Sequence, residues 1–260
     1  MHPVLAEILE TQTVEAADGR RLALTSAMTA EEGGVLQRLV RDSHAQVTLE
    51  VGLANGVSAL FICEALAANG GGRHIAIDPH QAGWHGAGLR SLERAGYRHM
   101  LEFHEAPSHR TLPALDAAGT RVDFALIDGW HTFDYALVDF FYIDRLLRVG
   151  GVVAFDDALS YPALRRLVRY VARNRHYRAV EAESPRPLSW RRRVLGAAAS
   201  PLRRGWLRGT AARVLRAEVL DPDTAIGLPN AELVAFEKLA DDVPGDGSGG
   251  TRRWDQHVDF

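Results

Sequence analysis

Four short apolar runs in this chain each end on carboxylates: VTLE at Glu50, HIAID at Asp78, DFALID at Asp128, and GVVAFDD at Asp156 and Asp157. Turn residues bound each run. A strand buried on both faces reads as such a near-continuous apolar stretch. Helical patterns lie between the runs, and strand–helix alternation with right-handed crossovers builds a doubly wound parallel sheet. Ligands of such sheets bind in the crevice beyond the carboxyl ends of the strands. The pattern therefore gathers five acids around one crevice. That environment suits a cation, a ribose or a metal ion, and it repels phosphate.

Residues 1–45 read as a helical cap. Within them TAEEGGVLQRLVRD supplies a capping Thr29, early acids Glu31 and Glu32, and an apolar stripe through Val35, Leu36, Leu39 and Val40. Strands are then expected over 47–51, 74–77, 100–106, 123–127, 152–155, 177–182 and 232–239, with helices such as 57–69 between them. The expected fold class is α/β: a doubly wound, Rossmann-like, mostly parallel seven-stranded sheet with helices on both faces. The chain has 260 residues, enough for one sizeable core, and a single domain is expected over 1–240. The Gly/Asp/Ser-rich stretch 241–260 reads as a flexible tail.

Residues 184–230 form an insertion before the last strand, expected to be helical and basic. From Arg186 to Arg216 there are nine Arg and no acid, so a net charge of −3 leaves −12 on the remainder. Trp190, Trp206, Leu195, Leu202 and Leu207 are interleaved. A helical cap or subunit contact with a solvated basic face accounts for this; so does a surface for an anionic membrane or anionic substrate. No specific nucleic acid is expected, and a homo-oligomer stays open. MHPVLAEILE lacks the basic region and long apolar run of a signal peptide, and no run approaches the roughly 20 apolar residues of a membrane span. The expected location is cytoplasmic, with peripheral membrane attachment as the alternative. Cys63 is the only cysteine, which excludes an intrachain disulfide, and its apolar helical position reads as buried filler.

Glu50-Val51-Gly52-Leu53-Ala54-Asn55-Gly56 joins the first of these strands to its helix. A dinucleotide loop wants G-x-G-x-x-G, but Ala54 occupies the second position and Gly52 and Gly56 stand four apart. Asp78 ends the next strand, where an acid can accept ribose hydroxyls. A plain βα turn and a turn-starting Asp before Pro79 are the simpler accounts. Together with the acid-rich crevice, the loop favours a cationic nucleoside cofactor over a dinucleotide, and so disfavours an NAD-type oxidoreductase.

ExGxxxG after the first strand, an acid ending the second, and Asp128-Gly129 ending the fourth resemble class I S-adenosylmethionine-dependent methyltransferases, over about residues 22–183 plus the last strand. IAIDPHQAGWHGAGLRSLERAG and ALIDGWHTFDYALVDFFYIDRLLRVGGVVAFDD look like the bacterial branch containing macrocin-type O-methyltransferases and, more distantly, catechol-type enzymes. The resemblance implies S-adenosyl-L-methionine as cofactor. It implies that Gly52 and Gly56 shape the loop around the methionine moiety, with Glu50 behind it, and that Asp78 takes the ribose. His80 and Gln81 would lie near the adenine edge and Ser108 near the adenine amino group, although a helix N-cap explains Ser108 equally well. Asp128 would face the methionine amino end or a metal, and Ser26 to Met28 would lie nearest the pocket.

Asp128, Asp156 and Asp157 end strands expected to be neighbours. Three oxygen donors suit a hard divalent cation, Mg²⁺ first. The resemblance implies the same trio as metal ligands gripping an acceptor hydroxyl. His131, three residues after Asp128, is a candidate general base; capping the next helix or packing against Trp130 would account for it otherwise. Asp134 and Asp139 read as helix-surface or helix-dipole acids, and His109 as a surface or loop residue. The resulting expectation is a Mg²⁺-assisted O-methyltransferase acting on a hydroxyl of a sugar or other small secondary metabolite. A methyltransferase-like binding module without catalysis is the alternative.

Overall fold

The computed structural model describes residues 1–180 and 223–241. The sequence expectation of an all-helical 1–45 is corrected. Helix α1 (Pro3–Thr11) and helix α2 (Ala30–Asp42) flank an antiparallel hairpin of β1 (Thr13–Glu15) and β2 (Arg21–Ala23). The turn is made by Asp18-Gly19-Arg20: Gly19 has φ +84°, and the Asp18 carboxylate accepts the Arg20 amide. Asp-Gly between short extended runs favours a hairpin over a continued helix. α2 opens as the sequence predicts. Thr29 accepts the Glu32 amide, and the Glu32 carboxylate accepts the Thr29 amide, a reciprocal capping box.

The main sheet contains β3 (Val47–Val51), β4 (Arg73–Ile77), β5 (Leu101–His104), β6 (Val122–Ile127), β7 (Leu147–Phe155), β8 (Tyr177–Val180) and β9 (Val234–Lys238). Its order is β5-β4-β3-β6-β7-β9-β8, parallel throughout except for β9, which runs antiparallel to both its neighbours. This is the mostly parallel, seven-stranded sheet expected. The chain winds outward from β3 to β5, then returns to lay β6 against the other side of β3. That reversal opens a crevice between β3 and β6.

Helices α3 (Val57–Ala68), α4 (Ala87–Arg94), α5 (Ser108–Ala117), α6 (Phe133–Leu146) and α7 (Pro162–Asn174) cover the sheet. Alternation along each strand divides the core in two. Ala76, Phe124 and Leu126 pack toward α1–α4, while Leu49, Val51, Ile75, Ile77 and Ile127 pack toward α5–α7. α3 is apolar around its circumference because it is nearly enclosed, and Cys63 within it is fully buried, as expected. Burial pushes the Cys63 thiol pKa up. Lys238, the only lysine, is buried and donates to the carbonyls of Asp144 and Leu147 where α6 ends.

The basic segment 186–216 and the tail from 242 lie outside the described residues. Among the described residues, no helix is long and apolar enough to cross a membrane.

Candidate active site

A cavity of about 1050 Å³ opens at the carboxyl ends of β3 to β7. Its floor is made by the β3–α3 loop. Gly52 has φ +96°, and a Cβ there would lie 2.1 Å from the Asp128 carbonyl oxygen, so only glycine lets the β3 and β6 ends approach this closely. Gly56, at φ +79°, precedes α3 and packs against the Gly88 backbone. Ala54, between them, adopts φ +43° despite its side chain.

The loop is held by Asp78. The Leu53 and Ala54 amides donate to its Oδ2 at 3.1 and 2.8 Å, and Gln81 Nε2 donates to the same oxygen at 3.2 Å. The His80 amide donates to Oδ1 at 2.7 Å. Asp78 lines the cavity, yet four protein donors already engage it, leaving Oδ1 the less occupied oxygen for a ribose hydroxyl. His80 lines the cavity beside it.

Glu50 and Gln81 are placed differently from a direct ligand contact. Side-chain alternation turns Glu50 under α3, where it is fully buried. Ser58 Oγ donates to its Oε2 at 2.8 Å, and His74 Nε2 stands 3.2 Å from Oε1. His74 Nδ1 in turn pairs with Thr48 Oγ1 at 2.9 Å. Gln81 is buried and ties Asp78 to the Ala54 carbonyl. Both support the loop from behind, and Ser58 rather than Glu50 reaches the cavity.

The other end of the cavity holds Asp128, His131 and Asp157, whose ligand atoms all lie within 4.8 Å of one another. His131 Nε2 is 3.1 Å from Asp157 Oδ2 and 3.7 Å from Asp128 Oδ1. The Tyr161 ring stacks on the imidazole, 4.2 Å between centroids at 13°. Neither simpler account of His131 is met: Thr132 is the N-cap of α6, and His131 stacks on Tyr161 while Trp130 stands 61% exposed. Asp157 adopts φ +57°, the kind of strained backbone found at functional sites. Asp156 is buried, accepts the Asp157 amide at 2.9 Å, and borders this trio without joining it.

These groups repel and attract one another strongly. Burial lifts the Asp128 pKa to about 6, with His131 opposing. Burial, then Asp128 and Glu32, raise Asp156 well above the carboxylate range. The carboxylates of Asp128 and then Asp157 hold His131 up to about 9. The carboxylate oxygens of Asp128 and Asp157, brought this close together, fit a hard divalent cation, with the His131 imidazole beside them.

Several contributors are not foreseen from sequence. Glu32 reads only as a capping acid, but α2 brings it to the cavity wall. Asn55 lines the cavity and donates to the Thr25 carbonyl at 2.6 Å, tying the loop to the segment containing Ser26, Ala27 and Met28, which also line it as expected. Trp84, Trp130, Tyr135 and Tyr161 form aromatic walls, with His109 beside them. Ser108 lines the cavity as the first residue of α5; Pro107 is the N-cap, so capping does not explain Ser108. Asp139, expected at the surface, is buried with Oδ1 unpartnered. Burial lifts its pKa to about 6.

Residues 49–158 match the family model described as a methyltransferase domain. The chain is 33% identical over 161 residues to a caffeoyl-CoA O-methyltransferase of Petroselinum crispum, covering 55% of this chain and 61% of that protein. It is 33% identical over 138 residues to Tapetum-specific methyltransferase 1 of Arabidopsis thaliana, covering 52% and 56%. The chain thus spans a little over half the length of these curated relatives. Among solved structures, the O-methyltransferase TomG of Streptomyces achromogenes, in complex with SAM, shares the fold at TM-score 0.56 and 23% identity, covering 69% of this chain and 82% of that one. An O-methyltransferase from Bacillus cereus, in complex with SAH, gives TM-score 0.56 at 21% identity, covering 68% and 82%.

Proposed function

We propose that this chain is a class I S-adenosylmethionine-dependent methyltransferase that transfers a methyl group to a hydroxyl of a small acceptor, a sugar or other small secondary metabolite; the match of residues 49–158 to a methyltransferase domain supports this reading. The observation that carries the proposal is one cavity joining the Gly52 loop and Asp78 at one end to Asp128, His131 and Asp157 at the other. S-Adenosylmethionine supplies an electrophilic methyl on a sulfonium. The protein then needs no nucleophile of its own. It must fix an oxygen in line, take its proton and keep water out.

Asp128 and Asp157, bordered by Asp156, would hold a divalent cation, Mg²⁺ by donor hardness, which as a Lewis acid lowers the pKa of an acceptor hydroxyl. His131 would take the hydroxyl proton at Nε2, its ring plane set by Tyr161. With both acids facing it, His131 keeps its proton at neutral pH. A cation held by those carboxylates would offset their charge and so would leave the His131 imidazole available as the base. Trp130, Tyr135 and Tyr161 offer exposed aromatic faces against which an acceptor ring can lie.

The test is calorimetric titration with S-adenosylhomocysteine, followed by transfer of labelled methyl from S-adenosylmethionine to hydroxylated acceptors. Absence of binding heat sinks the proposal. We also propose that 186–216 meets an anionic surface, on its nine Arg without an acid. Co-sedimentation with anionic liposomes that survives deletion of 186–216 rules this out.

A further inference from the structure

Asp157 belongs to a turn that its own strand does not hold. The antiparallel ladder between β7 and β9 ends at the pair Phe155 and Val234. The same register, continued, would set Glu232 opposite Asp157. Asp157 instead turns left-handed, at φ +57°, and the chain leaves the sheet. The amides of Ala158, Leu159 and Ser160 then need acceptors outside the ladder.

Glu232 supplies all of them. Its carbonyl accepts the Ala158 amide at 2.9 Å. Its carboxylate takes the rest: the Leu159 and Ser160 amides donate to Oε2 at 3.1 and 3.0 Å, and Ser160 Oγ donates to Oε1 at 3.0 Å. Glu232 is buried, and it stands behind the cavity wall rather than in it. A carboxylate that accepts from successive amides fixes their backbone, as Asp78 does for the β3–α3 loop. The segment that delivers Glu232 is itself held to α7, where Arg165 donates to Asp223 at 2.8 Å and to the Pro229 carbonyl at 2.9 Å.

The turn so fixed carries two of the groups around His131. The Tyr161 amide donates to the Asp157 carbonyl at 3.1 Å, closing the turn on itself. From that turn Asp157 Oδ2 comes to 3.1 Å from His131 Nε2, and the Tyr161 ring stacks on the same imidazole. A left-handed aspartate costs free energy and persists only where its surroundings over-determine it.

We propose that Glu232 is a positioning residue of the candidate cation site: by holding 158–160 it keeps Asp157 left-handed and aimed at Asp128 and His131. It acts through hydrogen-bond geometry rather than charge. This rests on the reading of Asp128 and Asp157 as cation ligands given above.

The test uses Mn²⁺ as the probe, with the free ion counted by its electron paramagnetic resonance signal. S-Adenosylhomocysteine affinity is read in parallel by calorimetry, on the full chain and its variants. Glu232→Ala should weaken Mn²⁺ by about 10-fold or more, the scale on which partners of metal ligands act. It should leave S-adenosylhomocysteine within about 3-fold, because Asp78 and the Gly52 loop lie at the other end of the cavity. Glu232→Gln keeps an acceptor for the amides and can donate to Ser160 Oγ, so Mn²⁺ affinity should stay within about 3-fold of the unaltered protein. Should Glu232→Ala fail to fold, Glu232→Met keeps the side-chain length without the acceptor, and the same loss is expected. A merely structural role would lower the urea midpoint and leave the Mn²⁺ affinity of the folded protein unmoved, which overturns the proposal. Equal loss in Glu232→Gln and Glu232→Ala would make the charge decisive and overturn it too. If the unaltered protein binds S-adenosylhomocysteine but no Mn²⁺, this proposal falls and the methyl-transfer reading stands. If it binds Mn²⁺ with the expected dependence on Glu232 but no S-adenosylhomocysteine, methyl transfer falls and Glu232 keeps its role.

Discussion

The two ends of the cavity treat their carboxylates in opposite ways. At the β4 end, Asp78 accepts four protein donors and holds the β3–α3 loop in place. At the β6 and β7 ends, Asp128, Asp156 and Asp157 face one another and one histidine, and burial pushes Asp128 and Asp156 above the ordinary carboxylate range. One end is complete before a ligand arrives. The other has repulsion that a cation would relieve. The difference teaches that acids at strand ends need not share a role: surrounding donors decide whether an acid is a strut or a ligand.

The sharpest break of this comparison is at the acidic end. Asp157→Ala should lower turnover by about 1000-fold while S-adenosylhomocysteine affinity changes little. Chelation with EDTA should do the same, with recovery on adding Mg²⁺. Activity that survives both would leave His131 as the sole chemical group. The next effect probes Asp139, a buried acid whose Oδ1 has no hydrogen-bond partner. The Asp139 pKa stands at about 6 in the fold, above its value of about 3.9 in an unfolded chain. The folded state therefore holds the proton more tightly. The associated stability is fully present below about pH 4 and is lost as pH rises through about 6. Asp139→Asn should remove that loss and stabilise the protein at pH 7 by up to about 3 kcal/mol, read as a higher midpoint in urea. A midpoint that falls instead would mean that the buried charge is stabilised by its surroundings.

Asp78→Ala should weaken S-adenosylhomocysteine about 30-fold and also lower the melting temperature, because the Leu53 and Ala54 amides lose their acceptor. Weaker binding with an unchanged melt would make Asp78 a ligand contact alone. The smallest effect is at Ala54, at φ +43°. Ala54→Gly relieves a left-handed alanine but adds backbone freedom to the unfolded chain, so the net gain should stay under about 1 kcal/mol. A clear loss of stability would show that the alanine methyl packs usefully.

The centre of the main sheet is legible in the sequence because β3, β6 and the second half of β7 are buried on both faces and read as near-continuous apolar runs, whereas the edge strands β5 and β8 are only partly buried and carry Glu102, His104 and Arg178. The β1–β2 hairpin is not legible, because three-residue strands carry too few side chains to show a period, and the helical pattern of α1 leads straight into them. Asp139 is misplaced from sequence for a related reason. α6 packs against the sheet and also against α5, so a face that looks outward in the helical pattern is covered. Glu32 is legible as the third residue of a capping box, but its approach to Asp156 depends on where α2 docks.

Sequence alone determined that Glu50, Asp78, Asp128, Asp156 and Asp157 arrive at the same edge of one sheet, since parallel strands that end on acids must present them together. Tertiary structure alone decided what each acid faces. Side-chain alternation sends Glu50 under α3, the loop amides surround Asp78, and Asp128 and Asp157 close on His131. Those outcomes depend on helices and loops distant in the chain, whose positions no local pattern of residues encodes.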